Sequence, residues 1–218
     1  MADTDSGLPG RRDRNMQEKR DRIFAAAAEL FAEKGYDAVT TREVSDRADV
    51  AAGTLFRYAS SKVELLLMVY NEQFRLSLEA GEERSGQAGD VIDRLLAVVD
   101  PILRSAAMRP ENAAAYQREL IFGAQSEPHR AAGIELVRLT EAALGRVLAA
   151  EADRRGITTT PGAVRAASRS VFAAVHLDVA RIAATLTPAE SVSDPEDDLR
   201  RQLRQIVDGF LADNDERN

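Results

Sequence analysis

The chain has 218 residues, 44% hydrophobic and 30% charged, with a net charge of −7 and no cysteine. That length builds one large or two modest globular units, and the missing thiols exclude disulfides, thiolate nucleophiles and zinc sites built on cysteine. With two histidines, His129 and His176, far apart in sequence, a histidine metal cage is also unsupported, so no cofactor is expected.

No apolar run approaches the roughly 20 residues that span a bilayer. The opening "MADTDSGLPG" has neither the basic region nor the apolar stretch of a secretory signal, so a cytoplasmic protein with no membrane partner is expected. Residues 1–13 read as a disordered N-terminal arm. Charge is uneven along the chain: residues 1–62 hold 11 basic and 11 acidic side chains, so the totals of 29 and 36 leave 18 and 25 for residues 63–218. Arg11, Arg12, Arg14, Lys19, Arg20 and Arg22 cluster ahead of the first apolar helix; taken alone, they read as a solvated basic segment.

The first periodic element starts near Asn15. Ile23, Ala27 and Leu30, with Phe24 and Phe31 alongside, form the stripe of an amphipathic helix, and Gly35 supplies its left-handed cap. Thr40 with Glu43 spells a capping box, and Val39 with Val44 a hydrophobic staple, so a second helix starts there and runs to about Ala48. Only Asp49, Val50 and Ala51 separate it from a third short pattern, Ala52 to Ala59. A turn that tight suits the crossing of a helix-turn-helix. Ser61 and Glu64 cap a longer fourth helix reaching about Glu79, and "GEERSGQAGD" at 81–90 reads as a loop. Further helices are expected from Asp90 to about Ala107, Pro110 to about Gly123, Pro128 to Arg155, Pro161 to Leu186 and Pro195 to about Ala212. Most of these carry proline in the first turn. No stretch alternates with period two, so the fold class is all-α with about nine helices: a helix-turn-helix domain at 14–62 and a larger helical domain at 63–218.

The third helix is poorly explained by stability. Helical geometry places Leu55 and Ala59 on the core side, Gly53 and Arg57 outward, Thr54 and Tyr58 on one flank and Phe56 on the other. Such a helix fits a DNA major groove, where an arginine pairs with guanine and hydroxyls touch phosphate. Arg57 and Thr54 are the candidate base readers. Gly53 admits a close backbone approach, while Thr40, Arg42, Phe56, Tyr58 and Lys62 flank the reader or meet the phosphate backbone.

Residues 15–65 resemble the DNA-binding domain of the tetracycline-repressor (TetR) family, on "RIFAAAAELFAEKGYDAVTTREVSDRADV" followed by "GTLFRYASSKVELL". The resemblance implies a dimeric, ligand-responsive transcription regulator, most often a repressor, that binds a palindromic operator and is released by a small-molecule effector. Three positions depart from the family pattern. Ala51 stands where serine is usual, Phe56 where tyrosine is usual and Ala59 where phenylalanine is usual, so two phosphate-touching hydroxyls are gone. Phe56 is the candidate to fill the volume lost at Ala59.

The same resemblance implies an effector cavity in the larger domain, with Tyr116, Gln125, Phe172 and His176 as candidate lining groups. Few aromatics favour an apolar or amphipathic effector. A homodimer is expected through the last two helices, with Phe172, Val175, Val179, Leu199, Leu203, Ile206 and Phe210 as candidate interface residues; the alternative is that this stripe covers its own domain. Two other readings stay open. One is a helical protein-interaction module without operator binding; the other is an enzyme acting on a small molecule, although no nucleophile elbow, phosphate loop, dinucleotide fingerprint or metal signature appears.

Overall fold

The computed structural model describes residues 11–123, 128–184 and 195–215, and every regular element among them is a helix. In chain order these are α1 (Arg11–Lys34), α2 (Thr41–Arg47), α3 (Ala52–Leu55), α4 (Lys62–Ser85), α5 (Val91–Met108), α6 (Pro110–Phe122), α7 (Pro128–Arg154), α8 (Pro161–Ala184) and α9 (Pro195–Asp215). The chain divides into two compact units, Met1–Val69 and Tyr70–Asn218. The division falls inside α4, past the boundary expected at residue 62. The first turns of that helix bring Leu65, Leu66 and Val69 into the first unit, all closed to solvent.

In the first unit, α1 buries Ile23, Ala26, Ala27, Leu30 and Phe31, the stripe expected from the sequence. The helix starts at Arg11, so residues 11–13, expected in the arm, form its first turn. Arginine is a good helix former and no breaker lies between Gly10 and Asn15, so the pattern extends backwards past its apolar part. Residues 1–10 lie outside the described residues. Gly35 ends α1 at φ 78°, a conformation that costs glycine nothing, and the Tyr36 ring packs back with its centroid 5.7 Å from that of Phe31.

Both halves of the capping box are formed. Glu43 N donates to Thr40 Oγ1 at 3.2 Å, and Thr40 N donates to Glu43 Oε2 at 2.8 Å. Val39 and Val44 are both buried, as a staple requires. These local pairs orient α2 against α1, and the Arg47 guanidinium, 3.1 Å from Glu33 and 3.2 Å from Glu29, tethers its far end. Asp49 makes the tight turn at φ 52°, in the left-handed region where aspartate is tolerated better than most residues.

The third helix is shorter than the expected 52–59. It closes at Leu55, and residues 56–58 form a turn. Arg57 N donates to Thr54 O at 3.2 Å and Tyr58 N to Leu55 O at 2.9 Å. These bonds to the third residue back tighten the last turn, a common way to end a helix without a glycine cap.

In the second unit, α8 is the hub: α5, α6, α7 and α9 all pack against it. One core joins Leu95, Val98 and Val99 of α5, Leu144 and Leu148 of α7, Val171 and Val175 of α8, and Leu203 and Phe210 of α9. Burying each such leucine or valine stabilises the fold by roughly 1.5–3 kcal/mol.

The segment 81–90, expected as a loop, is helical as far as Ser85. A Cβ added to Gly81 would lie 2.2 Å from the Val98 carbonyl oxygen. The glycine is there because the backbones of α4 and α5 nearly touch, and an ion pair between Arg84 and Asp100 at 3.3 Å follows one turn on. A glycine that permits close packing looks, in sequence, like one that ends a helix.

Candidate nucleic-acid interface and ligand cavity

In the first unit, the α2–α3 pair is held from inside and open on its outer face. Leu55 and Ala59 are buried, as the helical wheel requires. Gly53, Phe56 and Arg57 are exposed, and Thr54 and Tyr58 are half-buried on the flank. Among the described residues nothing lies within 4 Å of a Cβ built on Gly53, so the backbone there is free to be approached. Phe56 is 49% exposed, so it does not fill the volume left by Ala59. The outward direction of its Cβ is set by the helix, and a side chain pointing away from the core has no route back into it.

Around this face the polar groups are differently engaged. The Tyr58 hydroxyl donates to Met16 O at 3.2 Å, joining α1 to the turn after α3. Lys62 Nζ donates to Asp37 O at 3.1 Å and lies 4.4 Å from the centre of the Tyr36 ring, a cation–π contact. Its ammonium is therefore positioned, and an ammonium has three donors, so others stay available to an anion. Arg42 stands out into solvent, with Asp46 at 3.9 Å.

Thr40 is more committed. Its hydroxyl accepts from Glu43 N and donates to Glu43 Oε2 at 2.8 Å, so its single proton is occupied within the cap. Glu43 in turn takes a bond from Lys34 Nζ at 2.7 Å. Bonds from Lys34 and from the Thr40 hydroxyl and amide hold the Glu43 carboxyl far down its range, at about 2.

The second unit contains a cavity of ≈ 600 Å³. Phe74, Ile102, Leu120, Ile134, Val137 and Val179 are among its apolar walls, so α4, α5, α6, α7 and α8 all contribute. Tyr116, Phe172 and His176, expected to line such a space, do so together; Gln125, the fourth candidate, lies outside the described residues. The buried Tyr116 hydroxyl donates to Asn71 Oδ1 at 2.7 Å, and Asn71 Nδ2 donates to His129 O at 2.7 Å, linking α4, α6 and the start of α7. Burial pushes the Tyr116 phenol above its ordinary pKa, so it stays protonated and remains a donor.

Sequence reasoning passed over several lining groups. Gln117 donates to His176; Arg130 reaches the carbonyl oxygens of Glu119 and Ile121, each at 3.3 Å; and Arg169 faces Glu141 at 3.5 Å. Polar side chains on amphipathic helices read as solvated, and nothing local distinguishes one that turns toward a cavity.

The residues expected between subunits are placed differently. Val175, Leu199, Leu203 and Phe210 are buried in the core of their own unit, Val179 packs with Ala106 and Ala113, and Phe172 and Ile206 lie half-buried against the same core. The alternative named for this stripe, covering its own domain, describes its position. The faces of α8 and α9 left open carry Ala166, Ser170, Ala173 and Leu177, and Gln205, Asp208, Gly209 and Ala212.

Residues 23–69 match the family model described as bacterial regulatory proteins, tetR family. The HTH-type transcriptional repressor KstR of Mycobacterium tuberculosis is 34% identical over 134 residues, 61% of this chain and 60% of the relative. The repressor of the same name from Rhodococcus jostii is 35% identical over 106 residues, 49% of each chain. The chain thus spans between about half and 60% of the length of these curated relatives. Among solved structures, Thermus thermophilus FadR, a TetR-family transcriptional repressor in complex with lauroyl-CoA, aligns with a TM-score of 0.64 at 23% identity, over 88% of this chain and 93% of that one. FadR of Bacillus subtilis, in complex with stearoyl-CoA, aligns at 0.60 and 21% identity, over 88% and 97%. At those identities the structural likeness speaks for the fold, and the tetR match falls on the residues that build the open α2–α3 face. Among the described residues no helix is long and apolar enough to cross a membrane. Over residues 23–69 the chain is similar to the TetR family of bacterial regulatory proteins, and the solved structures share its fold.

Proposed function

We propose that this protein is a transcriptional regulator that binds an operator as a homodimer and loses operator affinity when a small molecule occupies the cavity of its second unit. The observation that carries the reading is the α3 face: one leucine and one alanine hold it from inside, while Gly53, Phe56 and Arg57 stand outward and exposed among the described residues. A bare backbone beside a free guanidinium suits a base edge in the major groove, and the positioned ammonium of Lys62 suits a phosphate. The similar repressors named above support repression as the direction of control.

The cavity supports the effector half. Its volume lies within the range of small-molecule sites, and its walls are mainly apolar. The solved relatives with acyl-CoA ligands support an effector with a long apolar part. Tyr70, Gln73, Phe74 and Ser77 on one helix, α4, line the cavity, and the same helix begins at Lys62 beside the reader. An effector that favours one position of α4 therefore biases the reader through a continuous helix, and it shifts the equilibrium only by its preference between the two states. Two-fold operators require two readers. The open faces of α8 and α9 are the surfaces left to make that dimer, with Leu177 and the bare backbone of Gly209 at their centres.

The test is selection from a random duplex pool with the purified protein, followed by sedimentation of the complex. Enrichment of an inverted repeat, bound by two chains, is expected. Enrichment of nothing, with binding that tracks only duplex length and salt, would refute the reading.

A further inference from the structure

Several polar groups lining the cavity are already engaged within the protein: Tyr116 with Asn71, Arg169 with Glu141, Arg130 with two main-chain carbonyls. His176 is different. Gln117 Nε2 lies 3.2 Å from the His176 main-chain oxygen and 3.2 Å from His176 Nδ1. A carbonyl oxygen can only accept, so the atom of Gln117 that faces it is the amide nitrogen. That nitrogen carries two protons, and the second is directed at Nδ1, which must accept it. A neutral imidazole accepting at Nδ1 holds its own proton on Nε2.

Burial lowers the pKa of His176 below its ordinary value, so near pH 7 the ring is neutral and this tautomer is the form the cavity meets. Phe172, with its ring centre 5.9 Å away and its plane tilted by 33°, restricts the imidazole from one side. The Nε2–H is therefore a donor whose tautomer and orientation are both set by neighbours. Among the described residues no acceptor takes it.

Resting on the reading of this cavity as the effector site, we propose that His176 Nε2–H reads a carbonyl oxygen on an otherwise apolar effector, a long-chain or alicyclic ketone, ester or thioester. Gln117 is the positioning residue. The apolar walls supply affinity for any body of suitable size, and this fixed donor supplies discrimination. A molecule without an acceptor leaves that N–H desolvated and unpaired, which costs more than the bond itself contributes. A cationic ligand meets a donor where it needs an acceptor.

The test uses the full-length protein with bound anilinonaphthalene sulfonate as displacement probe, and compares decan-2-one with undecane, which has the same number of heavy atoms. The ratio of their affinities is measured in the wild type, His176→Phe, His176→Gln and Gln117→Leu. The ketone-to-alkane ratio is expected to fall roughly 3–10-fold in His176→Phe, the worth of one neutral hydrogen bond. It recovers in His176→Gln, which restores an N–H near the same place, and falls partway in Gln117→Leu, which frees the tautomer. Ring-nitrogen NMR of His176 is expected to show protonation at Nε2 in the wild type and a mixture in Gln117→Leu. An unchanged ratio across the variants, or a proton on Nδ1 in the wild type, overturns the proposal while leaving an effector site in place. If neither compound displaces the probe from the wild type, the effector-site reading falls with it.

Discussion

Replacing Gly81 with alanine separates two pictures of residues 81–85 by the sign of one number. If the segment were a loop or a frayed helix end, alanine would be neutral or stabilising, since it gains up to about 1 kcal/mol over glycine in a helix. In the structure the new Cβ meets the Val98 carbonyl oxygen at 2.2 Å, the carbonyl carbon at 2.9 Å and Cα at 3.0 Å. All three are backbone, so no side chain can rotate away, and α4 must part from α5 by about 1 Å before ordinary contact is restored. Overpacking of this kind costs typically 1–3 kcal/mol, and a wholly backbone obstacle belongs at the upper end. Subtracting the propensity gain leaves a net loss of about 2 kcal/mol, or a melting temperature lower by about 4–8 °C for a chain of this size. Calorimetry on wild type and Gly81→Ala reads the difference directly. A melting temperature that is unchanged or raised would show that the two backbones do not approach as described.

Two further outcomes follow from single side chains. Tyr116→Phe keeps the ring but removes the donor to Asn71 Oδ1, and an acceptor left unpaired at a buried position costs about 1–3 kcal/mol, visible as a lower urea midpoint with an unchanged slope. Glu43 titrates in the folded chain at about 2 against an ordinary 4.5, so its contribution is complete above about pH 4.5 and is lost as the pH falls toward 2. The stability of Glu43→Gln is expected to fall less than that of the wild type across that window; parallel losses would mean that the Lys34 and Thr40 contacts do not hold the carboxylate in solution.

What could be read from the sequence was mostly what is encoded within five residues. Gly35, the Thr40–Glu43 box and the Val39–Val44 staple are each decided by neighbours in the chain, and the structure has all three. The outward residues of α3 follow from helical angles once Leu55 is taken as inward. What was not legible depends on partners far away. Residue 81 must be a glycine because of the Val98 backbone, and Gln117 contacts a histidine 59 positions on. The apolar stripe of α9 shows that one face is covered but not by what; Leu203 and Phe210 turned out to face their own unit. Phe56 has the volume to be a candidate for the gap at Ala59, and the direction of its Cβ rules that out.

The central claim, that the outward face of α3 reads duplex DNA, is tested most directly by fluorescence anisotropy on the selected duplex with Arg57→Ala and Lys62→Met beside the wild type. Arg57→Ala is expected to weaken binding by about 1–3 kcal/mol and to relax one base preference, whereas Lys62→Met weakens all duplexes alike and flattens the salt dependence. Wild-type affinity and an intact base preference in Arg57→Ala would contradict the account.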